Sequence, residues 1–189
     1  MMRELVYYIA VSLDGFIAGP HGEFDAFPVE GDHMETLVRE YPDTLPTDIA
    51  GLQGIDQSSG RFSTVVMGWN TYVIGPENGM PSSYRHLEQI VFSRRHHADE
   101  ENLRTTAEDP VDVVSELRAR EGGDIWLCGG ADLATQLRGQ IDRLVLKHNP
   151  VVLGGGIPLF HAGHYAPAEF DLVRSRDYAS GVVISEYER

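Results

Sequence analysis

The sequence is poor in cysteine and in long apolar runs. Its single cysteine, Cys128, cannot form an internal disulfide, so the chain is not a disulfide-stapled scaffold. The N-terminal apolar stretch is broken at Asp14 and Gly15, which makes it too short for a membrane span, and it lacks a small-residue cleavage pattern. These absences predict a cytoplasmic protein that does not bind a membrane.

Positive charge is also scarce. Lys and Arg number 15 against 29 Asp and Glu, for a formal net charge of −14. Nucleic-acid binding needs a basic surface that releases counterions from phosphates, so the composition argues against a nucleic-acid partner. A small phosphorylated ligand stays compatible with this charge, because one local pair such as Arg94–Arg95 can bind it.

The remaining composition is that of an ordinary globular protein. The 189 residues are 42% hydrophobic and 23% charged, which predicts one domain covering 1–189. Residues 42–61 contain two Pro and three Gly, and we predict a long surface insertion there.

Apolar runs of strand length alternate with helical patterns along the rest of the chain. A helix is predicted after Asp32, where Glu35 completes a capping box, and a second after Asp109-Pro110. A third helix is predicted over 131–137. Strands are predicted at 5–12, 64–67, 89–93, 103–106, 124–128, 143–148, 169–176 and 182–188, with a short apolar run at 151–153 before three glycines. This order predicts an α/β fold with a mainly parallel sheet and antiparallel C-terminal edge strands.

Three strand ends carry residues suited to a phosphate group, and ligands of such sheets bind at the carboxyl ends of strands. Gly129-Gly130 permits close approach to the backbone, and the helix that follows offers unpaired N–H groups at its positive end. Gly68–Thr71 repeats this pattern, although Asn70 and Thr71 also suit simple helix capping. Ser93–Arg95 supplies two guanidinium groups, which match a phosphate bidentately.

These motifs, in this order, resemble the dihydrofolate-reductase-like superfamily and, within it, the branch containing the reductase domain of riboflavin biosynthesis. The matching stretches are SLDGFIA at 12–18, VVMGWNTY at 65–72, DIWLCGGADLATQL at 124–137 and IDRLVLKHNPVVLGGGIPLF at 141–160. The resemblance implies a three-layer α/β fold, NADPH as cofactor and a homodimer. It implies hydride transfer to a small-molecule substrate: a pteridine, a pyrimidine or a related carbonyl or imine.

The resemblance also assigns cofactor-binding residues. The nicotinamide would lie against Ala10, Val11, Ile17 and Ala18. The phosphates would lie between two backbone segments, formed by Gly68, Asn70 and Thr71 on one side and by Gly129, Gly130, Ala131, Asp132 and Leu133 on the other. In relatives the equivalent Gly-Gly peptide is cis. The adenosine 2′-phosphate would be held by Ser93, Arg94 and Arg95.

One residue departs from the pattern of dihydrofolate reductases. Trp69 stands where those enzymes usually have a basic residue after the glycine. This removes one ligand of the 2′-phosphate, so the choice of NADPH over NADH depends on Arg94 and Arg95. Trp69 is instead a candidate to stack on the adenine.

Two carboxylates are the candidate catalytic residues. Asp32 follows Phe27 by five residues, as the pterin-binding carboxylate follows an aromatic residue in dihydrofolate reductases; its other interpretation is a helix N-cap. Asp14 either anchors its loop by accepting backbone N–H bonds or contacts the substrate.

No metal site is predicted. His161 and His164 have a helical spacing, but Gly163 disfavours a helix there and no carboxylate partner is evident. Cys128 lies in a predicted buried strand and is expected to be a packed thiol. The alternative function is an NADP(H)-binding sensor or regulatory domain without reductase turnover.

Overall fold

An eight-stranded sheet runs through the structure, a computed structural model that describes residues 2–189. The sheet contains β1 (Leu5–Val11), β3 (Phe62–Gly68), β4 (Glu88–Phe92), β5 (Leu103–Thr106), β6 (Asp124–Gly129), β7 (Arg143–His148), β9 (Asp171–Asp177) and β10 (Val183–Glu188). The strand order is β5-β4-β3-β6-β1-β7-β10-β9. The first six strands are parallel, and β10 is antiparallel to both β7 and β9. The predicted mainly parallel sheet with antiparallel C-terminal edge strands is confirmed.

Helices cover both faces of this sheet, which gives the three layers that the resemblance implied. The helices are α1 (His33–Glu40), α2 (Thr47–Gln53), α3 (Trp69–Tyr72), α4 (Ile74–Glu77), α5 (Pro110–Ala119) and α6 (Ala131–Leu137). On one face α5 and α6 pack against Leu5, Tyr7 and Ile90. On the other face Leu37 and Tyr41 of the α1 segment pack with Tyr8 and Trp126. α5 begins as predicted, because the side chain of Asp109 accepts a hydrogen bond from the Val111 N–H.

The segment 42–61 is more ordered than the sequence predicts. It forms a 3-10 helix, Pro42–Thr44, and then α2. Asp43 is fully buried and accepts a hydrogen bond from the Phe62 N–H, which ties the segment to the start of β3. Residues 51–54 are exposed. Residues 56, 58 and 59 are exposed as well, so the surface description fits much of the segment but not its beginning, which buried Asp43 anchors.

A short two-stranded sheet lies beside the main one and was not predicted. It pairs β2 (Phe16–Ala18) with β8 (Ile157–Pro158) in antiparallel fashion. A Cβ on Gly156 would lie 2.1 Å from the carbonyl oxygen of Ala18, so only glycine allows this approach. The apolar run 151–153 is not a strand. It instead bonds to the loop after β1, where the Leu13 N–H donates to the Val151 carbonyl oxygen at 2.8 Å.

Among residues 2–189, no helix has both the length and the apolar character needed to cross a bilayer.

Candidate active site

Two glycine turns meet at the carboxyl edge of the sheet. β3 and β6 are neighbours, and Met67 is paired with Gly129. A Cβ built on Gly68 would lie 3.9 Å from both the Gly129 carbonyl oxygen and the Gly130 nitrogen. The hydroxyl oxygen of Thr71 lies 3.5 Å from the corresponding Cβ position of Gly130. The structure thus brings together the two segments that were predicted to hold the cofactor phosphates.

The Gly129-Gly130 turn has the backbone geometry that the resemblance implied. Its peptide bond is cis, and Gly129 has a φ of +134°, a conformation that residues with a side chain rarely adopt. The Ala131 and Leu133 side chains of α6 are buried in the core, whereas that of Asp132 is exposed and accepts a bond from Gln136. The part of this helix start that can face a ligand is therefore its backbone N–H groups.

Arg94 and Arg95 follow β4 at the same edge, and both are exposed. Neither guanidinium pairs with a carboxylate in the part of the chain that the structure describes. The hydroxyl oxygen of Ser93 accepts backbone N–H bonds from Arg95 at 3.3 Å and from His96 at 2.9 Å, and so shapes the turn. The two arginines are thus free to pair with an anionic ligand, and Ser93 holds their backbone.

Trp69 is already stacked on a neighbour. Its ring centroid lies 4.8 Å from that of His96 at an interplanar angle of 19°, and 5.2 Å from that of Tyr72. His96 thus covers one face of the indole, and an adenine that stacks on Trp69 must use the other face or displace His96. The role of Trp69 in adenine binding stays a prediction.

The loop after β1 is held by Asp14. Its carboxylate accepts hydrogen bonds from the Ser12 hydroxyl at 2.6 Å and from the N–H groups of Leu153 at 3.1 Å and Gly154 at 2.7 Å. The Ser12 hydroxyl, followed by these N–H groups, lowers the pKa of Asp14. Of the two roles considered for Asp14, this geometry is that of a loop anchor. The anchored loop leads into Ile17 and Ala18 of β2, next to Ala10 and Val11 at the end of β1.

Asp32 stands directly before α1, at the predicted N-cap position, but its side chain does not cap the helix, so the capping role predicted for it is wrong. Its backbone is already helical, with φ −64° and ψ −23°, and its side chain makes no cap hydrogen bond. Both carboxylate oxygens instead accept N–H bonds from the β9–β10 turn, at 2.7 Å from Ala179 and 3.0 Å from Ser180, and these bonds lower the pKa of Asp32. The carboxylate is exposed, whereas a pterin-binding carboxylate is buried. The geometry is that of a latch between α1 and the turn.

The structure adds side chains that the sequence analysis did not nominate. Lys147, at the end of β7, is paired in register with Ala10, and its amine lies 4.3 Å from the centroid of the Tyr8 ring. Cys128 projects on the same side, from β6, and burial raises its pKa to about 12. A raised pKa disfavours the reactive thiolate, which is in keeping with the packed thiol that the sequence predicts. The signal available in the sequence for Lys147 was that it is the chain's one lysine.

An open groove lies at the same edge of the sheet, beyond β7. It has a volume of about 480 Å³ and runs between residues 25–30, Pro150–Val151 and Ser180. Residues 2–189 hold no group of three or more His, Cys, Asp or Glu side chains arranged to bind a metal.

A mainly parallel sheet between two layers of helices, with glycine turns at its carboxyl edge, is the architecture of the dihydrofolate-reductase-like fold. Within that class, the family described as the RibD C-terminal domain matches residues 3–184, and the chain belongs to it.

Two bacterial proteins are similar to most of this chain. The chain is 30% identical over 190 residues to the uncharacterized protein YyaP of Bacillus subtilis, covering 96% of this chain and 92% of YyaP. It is 32% identical over 166 residues to the uncharacterized protein YwjB of the same organism, covering 85% and 84% of the two chains.

Solved structures share the fold. A putative riboflavin biosynthesis protein from Shewanella sp. PV-4 superposes with a TM-score of 0.71 at 23% identity, covering 100% of this chain and 99% of that one. The diaminohydroxyphosphoribosylaminopyrimidine deaminase/5-amino-6-(5-phosphoribosylamino)uracil reductase from Thermotoga maritima gives 0.66 at 14% identity. That match covers 99% of this chain and 56% of the Thermotoga chain.

Proposed function

We propose that this protein is an NADPH-dependent reductase that transfers hydride to a small pteridine, pyrimidine or related carbonyl or imine compound. The observation that carries the proposal is the meeting of Gly68–Thr71 with Gly129-Gly130 at the carboxyl edge of the sheet. Membership of the RibD C-terminal domain family supports it, as does the fold shared with a protein whose name includes a uracil reductase.

The residues at this edge fit a dinucleotide that carries an extra phosphate. A Cβ at Gly68 would point toward the Gly129-Gly130 peptide, so the missing side chain leaves the gap between the two turns open to a pyrophosphate. Arg94 and Arg95 are exposed one strand away, because β4 is the neighbour of β3. Their guanidinium groups are suited to pair with a 2′-phosphate, which NADH lacks.

NADPH supplies the hydride when it is bound, and the residues of this chain hold its nicotinamide ring in place. The end of β1 and the β2–β8 pair form the surface against which the nicotinamide would be held. Asp14 fixes that surface by bonding the loop after β1 to residues 153 and 154. A reacting group held in one geometry reacts far faster than a mobile one, so this anchoring contributes to the rate.

Fluorescence of Trp69 and Trp126 tests the proposal directly. Titration with NADPH should quench the emission, and NADH should bind more weakly. Oxidation of NADPH, followed by its absorbance, is then measured with 7,8-dihydrobiopterin, dihydrofolate and 4-nitrobenzaldehyde. Binding together with oxidation by at least one acceptor is the expected result. Absence of NADPH binding contradicts the proposal, and binding without oxidation by any acceptor favours an NADP(H)-binding sensor. The cytoplasmic location and the homodimer stay predictions.

A further inference from the structure

Lys147 occupies an unusual position for a lysine side chain. It is the chain's one lysine, against 14 arginines, and it is half-buried at the carboxyl end of β7. Its register partners are Ala10 on β1 and Ile184 on β10, so it lies between the predicted nicotinamide surface and the antiparallel edge of the sheet. A lysine with no functional role normally extends its amine into water.

The amine of Lys147 has no carboxylate partner among residues 2–189; its nearest described contact is the face of Tyr8, at 4.3 Å. Burial lowers the pKa of Lys147 to about 8. The amine makes no hydrogen bond within residues 2–189, yet it is not among the buried side-chain atoms that lack a hydrogen-bond partner. It is therefore not fully buried and keeps access to solvent. An unpaired and half-buried ammonium costs stability, and such groups occur mainly at functional sites.

The other titratable groups around Lys147 do not neutralise it. Tyr8 on β1 and Cys128 on β6 both have a pKa raised by burial, so both are uncharged at neutral pH. His33 on α1 has a pKa lowered by burial and, further, by the charge of Lys147. Tyr84 packs beside Cys128 and is also neutral, because burial raises its pKa. The surroundings of the amine are therefore uncharged and largely aromatic.

The nearest carboxylate on β10 is already engaged. Glu186 lies two residues beyond Ile184 on the same face, and its oxygen accepts bonds from Tyr41 and Arg174, each at 3.0 Å. Asp32 is committed to the β9–β10 turn. Asp25 and Glu30 line the open groove beyond β7, but neither is paired with Lys147. Lys147 is therefore a positive donor on this side of the site, and neither β10 nor Asp32 gives its amine a free carboxylate.

We propose that Lys147 is the proton donor of the reductase site, and that its substrate is a neutral or anionic carbonyl compound. The inference rests on the proposed function, because it needs a hydride donor beside Ala10. The geometry that carries it is one unpaired amine, at a strand end, next to the predicted nicotinamide surface.

The step balances as a two-electron reduction. Bound NADPH would supply the hydride that forms the new C–H bond at the carbonyl carbon, and it would be oxidised to NADP+ in doing so. The π pair of the C=O bond moves to oxygen, which takes a proton from the Lys147 ammonium. The neutral amine then regains a proton from solvent.

The charge of Lys147 also selects among acceptors. Reduction of a C=N bond is assisted by protonating the nitrogen, and the resulting cation would be repelled by the ammonium, because no carboxylate is paired with that ammonium. A carbonyl oxygen gains negative charge during hydride transfer and is stabilised by the same ammonium. The site should therefore reduce 4-nitrobenzaldehyde in preference to 7,8-dihydrobiopterin.

The first test needs no turnover. Because the chain has one lysine, protein grown with lysine labelled with carbon-13 at Cε gives a single lysine side-chain signal, whose pH titration reports the amine directly. We expect a midpoint near 8 that shifts when NADPH is added. We also expect 4-nitrobenzaldehyde with cyanoborohydride to label Lys147, as mapped by peptide mass spectrometry. A midpoint near the ordinary value of about 10.4, with no effect of NADPH, would overturn the inference.

The second test separates proton donation from charge. Lys147→Met should lower kcat for 4-nitrobenzaldehyde by about 100-fold or more while the NADPH Kd changes less than about twofold. Lys147→Arg keeps the charge but holds its proton too tightly to donate it, so it should not restore the rate. In the wild type, kcat should fall as pH rises through about 8, because the ammonium is lost.

Arg39→Met, at an exposed arginine of α1, is the control for removal of a positive charge. A Lys147→Met variant that keeps more than half of the wild-type kcat overturns the inference, as does a wild type that reduces dihydrobiopterin but not the aldehyde. In both cases the proposed function stands. Failure of the wild type to bind NADPH refutes the proposed function instead, and the lysine titration still reports the state of the amine.

Discussion

The two sides of the candidate site differ in the groups that form them: backbone groups on one side and side chains on the other. The cofactor side consists of turns, Gly68–Thr71 and Gly129-Gly130, whose backbone groups would face the ligand. The proposed substrate side centres on Lys147 from β7, and the groups around its amine come from separate elements: Tyr8 from β1, Cys128 from β6 and His33 from α1. A site formed by backbone groups tolerates substitutions around it but not a side chain added to one of its glycines. A site formed by side chains from several elements depends on the charge and size of each side chain.

This difference explains how the two sides relate to stability. The glycine turns are local, and their geometry is compatible with a well-packed sheet. Lys147 places an ammonium without a carboxylate partner over the face of Tyr8, and although the ring attracts the cation, its desolvation opposes folding at neutral pH. Lys147 would therefore lower stability at the place where it donates a proton. Replacing it should raise the free energy of unfolding, whereas adding a side chain to a glycine turn should lower it.

The largest effect is expected on the cofactor side, for Gly129→Ala. A Cβ at φ +134° is strained whatever space surrounds it, and relief of that strain must move the turn. NADPH Kd, measured by tryptophan fluorescence, should rise by about 100-fold, which corresponds to about 3 kcal/mol. Gly139→Ala is the matched control, since that position has open space and no positive φ, and it should leave Kd unchanged. Equal Kd values for the two variants would show that the Gly129 turn does not hold the cofactor.

A smaller effect is expected for the double variant Arg94→Ala/Arg95→Ala. Loss of two guanidinium partners of a phosphate should raise the Kd of NADPH by about 10- to 100-fold, with little change for NADH. The wild-type preference for NADPH should also weaken as salt is added, because these side chains are exposed.

Arg120→Ala is the control for this pair. Arg120 pairs with Glu88 at the start of β4, at the opposite edge of the sheet. If both cofactors weaken equally in the double variant, the arginines contact a phosphate that NADPH and NADH share.

Lys147→Met is expected to raise the free energy of unfolding. The folded-state pKa of Lys147 lies below its ordinary value, so the unfolded chain binds more protons and the wild type gains stability as pH rises from about 8 to about 10.5. The variant should therefore have the higher free energy of unfolding at pH 7, by about 1 kcal/mol after allowance for solvent screening. Urea unfolding at pH 7 and pH 10.5 measures this difference, which should shrink at the higher pH. A variant that is less stable than wild type at pH 7 would show that the amine makes a favourable contact.

The smallest effect is expected for Asp32→Asn. If Asp32 is a latch, turnover and NADPH binding should change by less than about twofold, which is smaller than any effect of a lost proton donor. The thermal midpoint should fall slightly at neutral pH. Because the folded-state pKa of Asp32 is lowered, this stabilisation is present above its unfolded value and lost as pH falls through the folded one. The midpoints of variant and wild type should converge in acid, and a large loss of turnover would restore the substrate-binding role.

The elements that could be predicted from the sequence are those whose partners are close in the chain. Asp109-Pro110 marks the start of α5 because the cap bonds Val111, two residues on. The Gly-Gly turn after β6 is visible because a strand, two glycines and a helix follow one another. The capping role of Asp32 was predicted wrongly for the opposite reason: its carboxylate accepts hydrogen bonds from the N–H groups of Ala179 and Ser180, 147 and 148 residues away.

Lys147 and the β2–β8 pair also could not be predicted from the sequence, because both depend on residues that are distant in the chain. β2 is three residues long and β8 two, so neither has a pattern of its own, and each is a strand only because Gly156 lets it approach the other. Lys147 is one polar letter in a strand, and its burial depends on Tyr8, Cys128 and α1.

By itself the sequence determined the α/β class, the order of the main-sheet strands and the larger helices along the chain, and the glycine turns that we propose bind the cofactor. Each of these depends on periodicity or on backbone freedom, which neighbouring residues decide. Only the tertiary structure decided that Asp14 and Asp32 serve as ties between loops, that Asp43 is buried, and that Lys147 stands unpaired beside Ala10. Desolvation and charge pairing depend on which distant segments pack together, and no local pattern records that.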